Sequence, residues 1–318
     1  MRADSAPASV QPDESPACDI SVVIPTRNRP TKLHRCLVGL SNQTLDHNRF
    51  EVIVVNDGGR SLDAALEVWR TRLRLRTLDQ SHAGPAAARN AGASIAHGAL
   101  LAFTDDDCEP QPDWLKECAN RLHEAPNQAI GGHTQNALQD NVYSTASQLL
   151  IDYLYERHEA ADRHPSRRTR MPAFVTSNNL AVSAEIFKRL GGFDRSFTRA
   201  AAEDRDFCER WQEHGYQLVR VPAAVVNHAH PLTLARFWRQ HVNYGRGAYT
   251  LRRVRAARGT PPTKFESLSF YVGLLRYPLR SPSLKSPLLI TLLFVSQVAN
   301  AFGFLVECAR SAIGAQRT

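Results

Sequence analysis

The sequence predicts an α/β fold: a mostly parallel sheet flanked by helices, followed by a C-terminal helical region. Three observations lead there. Short apolar runs alternate with stretches of helical periodicity from residue 19 onward. Three of those runs end abruptly in polar residues, at Pro25-Thr26-Arg27-Asn28-Arg29, Asn56-Asp57-Gly58-Gly59 and Thr104-Asp105-Asp106-Asp107. With 318 residues, 43% hydrophobic and 22% charged, the chain can bury the core of one large domain plus an appendage.

Taken in order, residues 20–24 read as the first strand, and residues 31–42 as a helix with Leu33, Leu37 and Leu40 on one face. Residues 50–55 are a second buried strand, and Leu73 and Leu75 alternate within a third over 72–78. An alanine-rich helix over 85–96 leads to the fourth strand, 99–103, and Pro112 suits the first turn of a helix running to about residue 124. Further on, the pattern predicts strands at 128–133, 179–183 and 216–221, and helices at 143–160, 184–190 and 203–214. Gly191-Gly192 and Gly215 terminate the last two helices, and residues 163–170 form a basic loop.

Residues 1–17, rich in Ala, Ser, Pro, Asp and Glu, are expected to be a disordered lead-in without the apolar core of a signal peptide. Six cysteines lack any Cys-x-x-Cys pair and read as reduced thiols of a cytosol-facing protein. The net charge of +8 suits an anionic partner such as a nucleotide or an acidic membrane surface. No zinc-finger or RNA-binding signature accompanies that charge, so no nucleic-acid partner is expected.

Residues 231–318 change character. A basic, aromatic helix carrying Trp238, Arg239, His241 and Tyr244 is expected over 233–255, loosened by Gly245 and Gly247. Residues 287–306 carry no charge over a length that would span a bilayer, yet Ser296, Asn300, Gly303 and Glu307 share one helical face. Arg276, Arg280 and Lys285 precede the run. An interfacial helix at the cytoplasmic face of a membrane, a single span and a buried core helix all satisfy that pattern.

The three polar strand ends carry the chemistry. In an open α/β sheet they share the edge where ligands bind. Three adjacent carboxylates resist desolvation unless a cation compensates them, and Mg2+ or Mn2+ prefers such hard oxygen ligands; an acidic turn capping the next helix is the alternative.

The order of Pro25-Thr26-Arg27-Asn28-Arg29, Val54-Val55-Asn56-Asp57-Gly58-Gly59, Ala87-Ala88-Arg89-Asn90-Ala91-Gly92 and Phe103-Thr104-Asp105-Asp106-Asp107 resembles the family 2 glycosyltransferases. Ser177-Asn178-Asn179, Gly191-Gly192-Phe193-Asp194 and Glu203-Asp204-Arg205-Asp206 continue the match, which covers roughly residues 18–230. The resemblance implies a GT-A, Rossmann-like domain there. It implies a metal-dependent, inverting transfer of a sugar from a nucleoside diphosphate sugar to an acceptor hydroxyl of a glycan or lipid-linked glycan. Asp57 would recognise the base, uracil or thymine sooner than guanine, with Pro25, Thr26, Arg27, Arg29 and Arg89 lining the nucleotide pocket. Asp105 would lie nearer the ribose, Asp107 would bind the metal, and Asp106 would serve as their spacer or as a further donor contact. Asn178 would shape the sugar pocket, and Glu203-Asp204 would be the acidic pair, with Asp204 the base. His228, or His230 in its place, would complete the metal site.

Two other classes remain open at this point. A metal-dependent phosphotransferase would use Asp105 as nucleophile, and a nucleotide-sugar-binding protein would have lost turnover. Four strands before the acidic triplet, and Glu109 after it, fit the first poorly.

Overall fold

β1 (Ile20–Thr26) and β2 (Phe50–Asp57) are buried along almost their whole length, as continuous Val and Ile runs require when both faces of a sheet are covered. They pair in parallel with Thr26 opposite Asn56, so their polar ends leave the sheet side by side. β3 (Leu75–Gln80) and β4 (Leu100–Thr104) complete a parallel half in the order β3-β2-β1-β4. The sheet turns antiparallel at β7 (Asn179–Ser183), and continues through β6 (Gln128–Asn136) and β8 (Gln217–His228) to β5 (Cys108–Pro110). It is therefore mixed: β6 and β8 pair in parallel, and β5 runs antiparallel to β8. The computed structural model describes residues 18–163, 174–199, 201–261 and 266–315. The lead-in expected over 1–17 and the basic loop from residue 164 onward lie outside them.

Helices cover both faces. On one, Leu33, Leu37 and Leu40 of α1 (Pro30–Ser41) and Leu66 and Trp69 of α2 (Asp63–Arg70) pack with Trp114 and Leu115 of α4 (Trp114–Glu124). On the other lie Ala86 and Ala88 of α3 (Pro85–Ser94), α5 (Val142–Arg163), α6 (Ala184–Arg189) and α7 (Glu203–Glu213). There Phe103, Phe187, Phe193 and Phe207 pack ring on ring, with centroids 5.1 to 5.4 Å apart. Each such pair adds about 0.5–1.5 kcal/mol to area burial and fixes α7 against the end of β4.

Two α-helices and a strand were not expected from the sequence. α2 has only two buried apolar residues, too few to show a period. β5 is three residues long, on the sheet edge where Pro110 costs no ladder hydrogen bond. A third, α9 (Leu268–Arg276), follows α8. β8 runs past the expected residue 221 to His228, taking Pro222 at a register shift opposite Gly132 and His133.

α8 (Leu234–Ala257) is continuous, and its glycines do not loosen it. They permit contact instead: a Cβ on Gly245 would lie 1.8 Å from the Asn300 carbonyl oxygen of α10 (Ser286–Ala315), and one on Gly303 would lie 2.0 Å from that of Val242. Gly247 meets the Ala201 carbonyl oxygen, 2.6 Å from where its Cβ would be, just before α7. Ser296 and Gly303 of α10 face this seam, whereas Phe294, Val298, Phe302 and Leu305 are exposed. α10 is thus a packed helix on one face and an open apolar helix on the other. Among the described residues, Ser286–Ala312 alone is long and apolar enough to cross a membrane.

Candidate active site

The three polar strand ends converge. Thr26 Oγ1 donates to Asp106 Oδ2 at 2.7 Å, and Arg29 Nη1 lies 3.1 Å from Asp106 Oδ1. Asp106 is 1% exposed and turned onto β1, so it joins strand ends and does not line the cleft. Burial raises its carboxyl to about 7, against the pull of Arg29 and Thr26. Between Thr26 and Arg29 the chain turns through Asn28 at φ 55, which Asn tolerates better than most residues; its Oδ1 accepts from the Arg60 N–H at 2.9 Å. Pro25 is half-buried, and Arg27 points to solvent.

Asp107 is the most heavily compensated group. His228 Nε2 lies 3.3 Å from its Oδ1, while His230 Nδ1 at 3.2 Å, Lys32 Nζ at 3.0 Å and Arg29 Nη1 at 3.3 Å surround its Oδ2. The β5–β8 ladder builds this cluster: Cys108 pairs with His228, and the Ala229 N–H donates to the Asp107 carbonyl at 2.8 Å. Burial pushes the Asp107 carboxyl up, but hydrogen bonds from both histidines and the charges of His228 and Lys32 outweigh it, leaving it well below the usual range. Ligand atoms of Asp107, Cys108 and His228 lie within 4.8 Å of one another. Burial holds the Cys108 thiol protonated, so carboxylate and imidazole are the available donors, a set that suits Mn2+ or Mg2+. The residues present fit a divalent ion.

Arg89 links the acidic triplet to α7. It is 2% exposed, with Nη2 2.6 Å from Asp105 Oδ1 and Nη1 3.1 Å from Glu203 Oε1. Burial and the neighbouring Asp204 raise Glu203 to about 7 despite Arg89. Asp204, one residue on, accepts the Arg205 N–H at 2.8 Å. Burial lifts its carboxyl above the ordinary range, opposed by the charge and N–H of Arg205. A carboxylate so raised is a better proton acceptor near neutral pH.

Asp57 accepts four hydrogen bonds: Gln80 Nε2 and the Ala83 N–H on Oδ1, His82 Nδ1 and the Gly84 N–H on Oδ2, all between 2.7 and 3.0 Å. These outweigh burial and lower its pKa. Gly84, at φ 92, supplies the turn that aims its N–H at Asp57 and opens α3. Asn178 Oδ1 accepts from Thr176 Oγ1 at 2.8 Å, holding the β7 approach. Asn90 exchanges hydrogen bonds with the Phe193 backbone at 2.7 and 2.9 Å, tying the Gly191-Gly192-Phe193-Asp194 segment to α3. On α8, His241 is buried, Trp238 is exposed, and the Tyr244 hydroxyl accepts from Gln240.

The sequence reading missed Lys32 and the Gln80-to-Gly84 loop. Lys32 sits two residues after Pro30 in the first turn of α1, a signal available only once that helix is aimed at the triplet. His82, beside Gly84 and the start of α3, was recoverable as a polar residue on a strand-to-helix loop at the binding edge.

The chain is similar to known proteins. Residues 21–189 match the family described as Glycosyl transferase family 2, and residues 157–232 match the N-terminal domain of galactosyltransferase. Validoxylamine A glucosyltransferase of Streptomyces hygroscopicus subsp. limoneus is 31% identical over 220 residues, 62% of this chain and 48% of that protein. Pre-mycofactocin glycosyltransferase of Mycobacterium tuberculosis is 28% identical over 254 residues, 78% of this chain and 51% of that protein. The chain thus spans about half the length of the curated relatives it matches. Among solved structures, the mannosyltransferase PcManGT from Pyrobaculum calidifontis, in complex with GDP-Man and Mn2+, superposes with a TM-score of 0.62 at 18% identity, covering 94% of this chain and 90% of its own. The fold is GT-A.

Proposed function

Because the chain belongs to glycosyl transferase family 2, we propose that it moves a sugar from a nucleoside diphosphate sugar to the hydroxyl of a glycan or lipid-linked glycan, with inversion at the anomeric carbon. One observation carries this reading: buried Arg89 bridges Asp105 and Glu203, bringing the acidic triplet and the α7 acidic pair to one cleft.

Asp107 and His228, with Asp105 and His230 beside them, would hold a Mg2+ or Mn2+ ion. When bound, that ion supplies Lewis-acid neutralisation of the departing nucleoside diphosphate. Arg29 and Lys32 hold positive charge at the same edge, where diphosphate oxygens need it. Asp57 keeps the two backbone donors of Ala83 and Gly84, and a base N–H takes the place of His82, whose side chain is half exposed. Uracil and thymine each offer such an N–H. Asp204 takes the proton of the acceptor hydroxyl as the new glycosidic bond forms and the diphosphate leaves, and its raised pKa matches that task. Glu203 remains paired to Arg89 and fixes the first turn of α7.

The test is a panel of UDP-, dTDP- and GDP-sugars with Mn2+ or Mg2+, reading donor binding and nucleoside diphosphate release. Asp107→Ala loses metal-dependent donor binding, and Asp204→Asn binds donor but does not transfer. Binding and turnover that survive both substitutions overturn the reading. Donor binding without release in the unaltered chain indicates a binding protein.

A further inference from the structure

We infer that the outer face of α10, with the start of α8, rests on an anionic lipid bilayer as a peripheral surface. Leu288, Phe294, Val298, Phe302 and Leu305 recur at helical spacing along α10 and are exposed, Phe294 by 57% and Leu305 by 64%. Trp238 of α8, also exposed, lies 6.1 Å from Phe302 between ring centroids, so the apolar stripe continues onto α8, where Leu234 extends it by one more turn. A continuous apolar face of this kind on a soluble surface marks an interaction site.

The charge around it identifies the occupant. Residues 231–318 hold 13 Lys and Arg against two Asp and Glu, whereas the whole chain has 39 against 31. The preceding residues are therefore slightly acidic, and the entire positive excess sits in the region that carries the stripe. One of the two acids, Glu307, is already held by Arg246 at 2.6 Å. Arg280 and Lys285 meet Glu156 and Asp140, but among the described residues no acid pairs with the exposed Arg236, Arg239 or Arg276. Apolar side chains bordered by unpaired guanidinium groups match a bilayer of anionic lipid: the chains enter the headgroup boundary, and each cation near the surface adds about 1 kcal/mol.

Lying on the bilayer fits α10 better than crossing it. Its opposite face is committed to protein through the Gly245–Asn300 and Gly303–Val242 backbone contacts, which a lone span would forfeit. The surface also adjoins the cleft. Leu234 is four residues past His230, whose ring meets Asp107, so their Cα atoms are at most about 14 Å apart. A bilayer under Leu234 presents headgroup-level hydroxyls beside the mouth. That last consequence rests on the glycosyltransferase reading; the docking itself does not.

Flotation of the full chain with phosphatidylcholine vesicles, with and without phosphatidylglycerol, tests the inference. Binding is expected at least tenfold tighter with phosphatidylglycerol, and both high salt and alkaline carbonate should release it. Val298→Ser with Phe302→Ser should weaken binding about tenfold while Tm and nucleotide-sugar binding stay unchanged, and Arg236→Glu with Arg239→Glu should remove the preference for the anionic vesicles. Three results overturn it: no binding to either vesicle, attachment that resists carbonate, or a dimer in solution abolished by Phe302→Ser. Donor binding is read separately by thermal shift, so failure of the sugar-transfer reading leaves this result standing, and the reverse.

Discussion

Thr26 Oγ1 and Asp106 Oδ2 form a 2.7 Å hydrogen bond that fastens the end of β1 to the middle of the acidic triplet. Thr26→Val keeps the shape and removes the donor from a carboxyl that has little water to turn to. Stability is expected to fall by about 1–3 kcal/mol, the cost of a buried group left short of a partner. Urea unfolding checks this as a lower midpoint at unchanged slope.

Among the described residues Arg89 is the cation that pairs with Glu203, and both are buried. Arg89→Leu strands that carboxylate and is expected to cost about 3–5 kcal/mol. Adding Glu203→Gln should recover a large part, so the double variant is less unstable than the two single effects added together. Simple additivity would mean that the ion pair is not coupled.

The four donors on Asp57 make an asymmetric prediction for Asp57→Asn. An amide nitrogen cannot accept, so two donors lose their partner whichever way the side chain turns. Hydrogen exchange should accelerate at one of the Ala83 and Gly84 amides, whichever faces the new amide nitrogen, and nucleotide-sugar affinity should fall about tenfold. A loop whose exchange is unchanged would show that Asp57 does not hold it.

His241 is 1% exposed on α8, and burial lowers its pKa to about 4 from an ordinary 6.5. The unfolded chain therefore binds this proton before the folded one does. Stability from this group is present above pH 6.5 and is lost as pH falls towards 4. His241→Phe should flatten that part of a Tm-against-pH curve; an unaltered acid limb would assign the loss to other groups.

Much of this fold is readable from residues whose role is local. Continuous apolar β1, β2 and β4, and the polar residues that end them, follow from the sequence because burial on both faces leaves a contiguous mark. The parallel half was legible for that reason; in the mixed half β7 stands at the expected 179–183 and β6 and β8 start within a residue of where they were expected, whereas β5 and the far end of β8 were not legible. β5 has three residues, and Pro222 reads as a stop although a register shift absorbs it inside β8. Asp106 illustrates the limit within the site: three identical side chains in a row carry no sign of which one turns inward. Lys32 reads as a helix surface charge until α1 is docked beside Asp107. Gly245 and Gly247 read as weak points of a helix, because the partner backbone that needs them is far along the chain or on another element.

The contact between Gly247 and the Ala201 carbonyl makes the C-terminal layer a mechanical boundary condition on the cleft. With no side chain at 247 to yield, a displacement of α8 towards α7 meets main chain directly, three residues before Asp204. The seating of the outer helices thereby bears on the short segment that leads into α7, and a push on the exposed face is delivered two residues before the acidic pair begins.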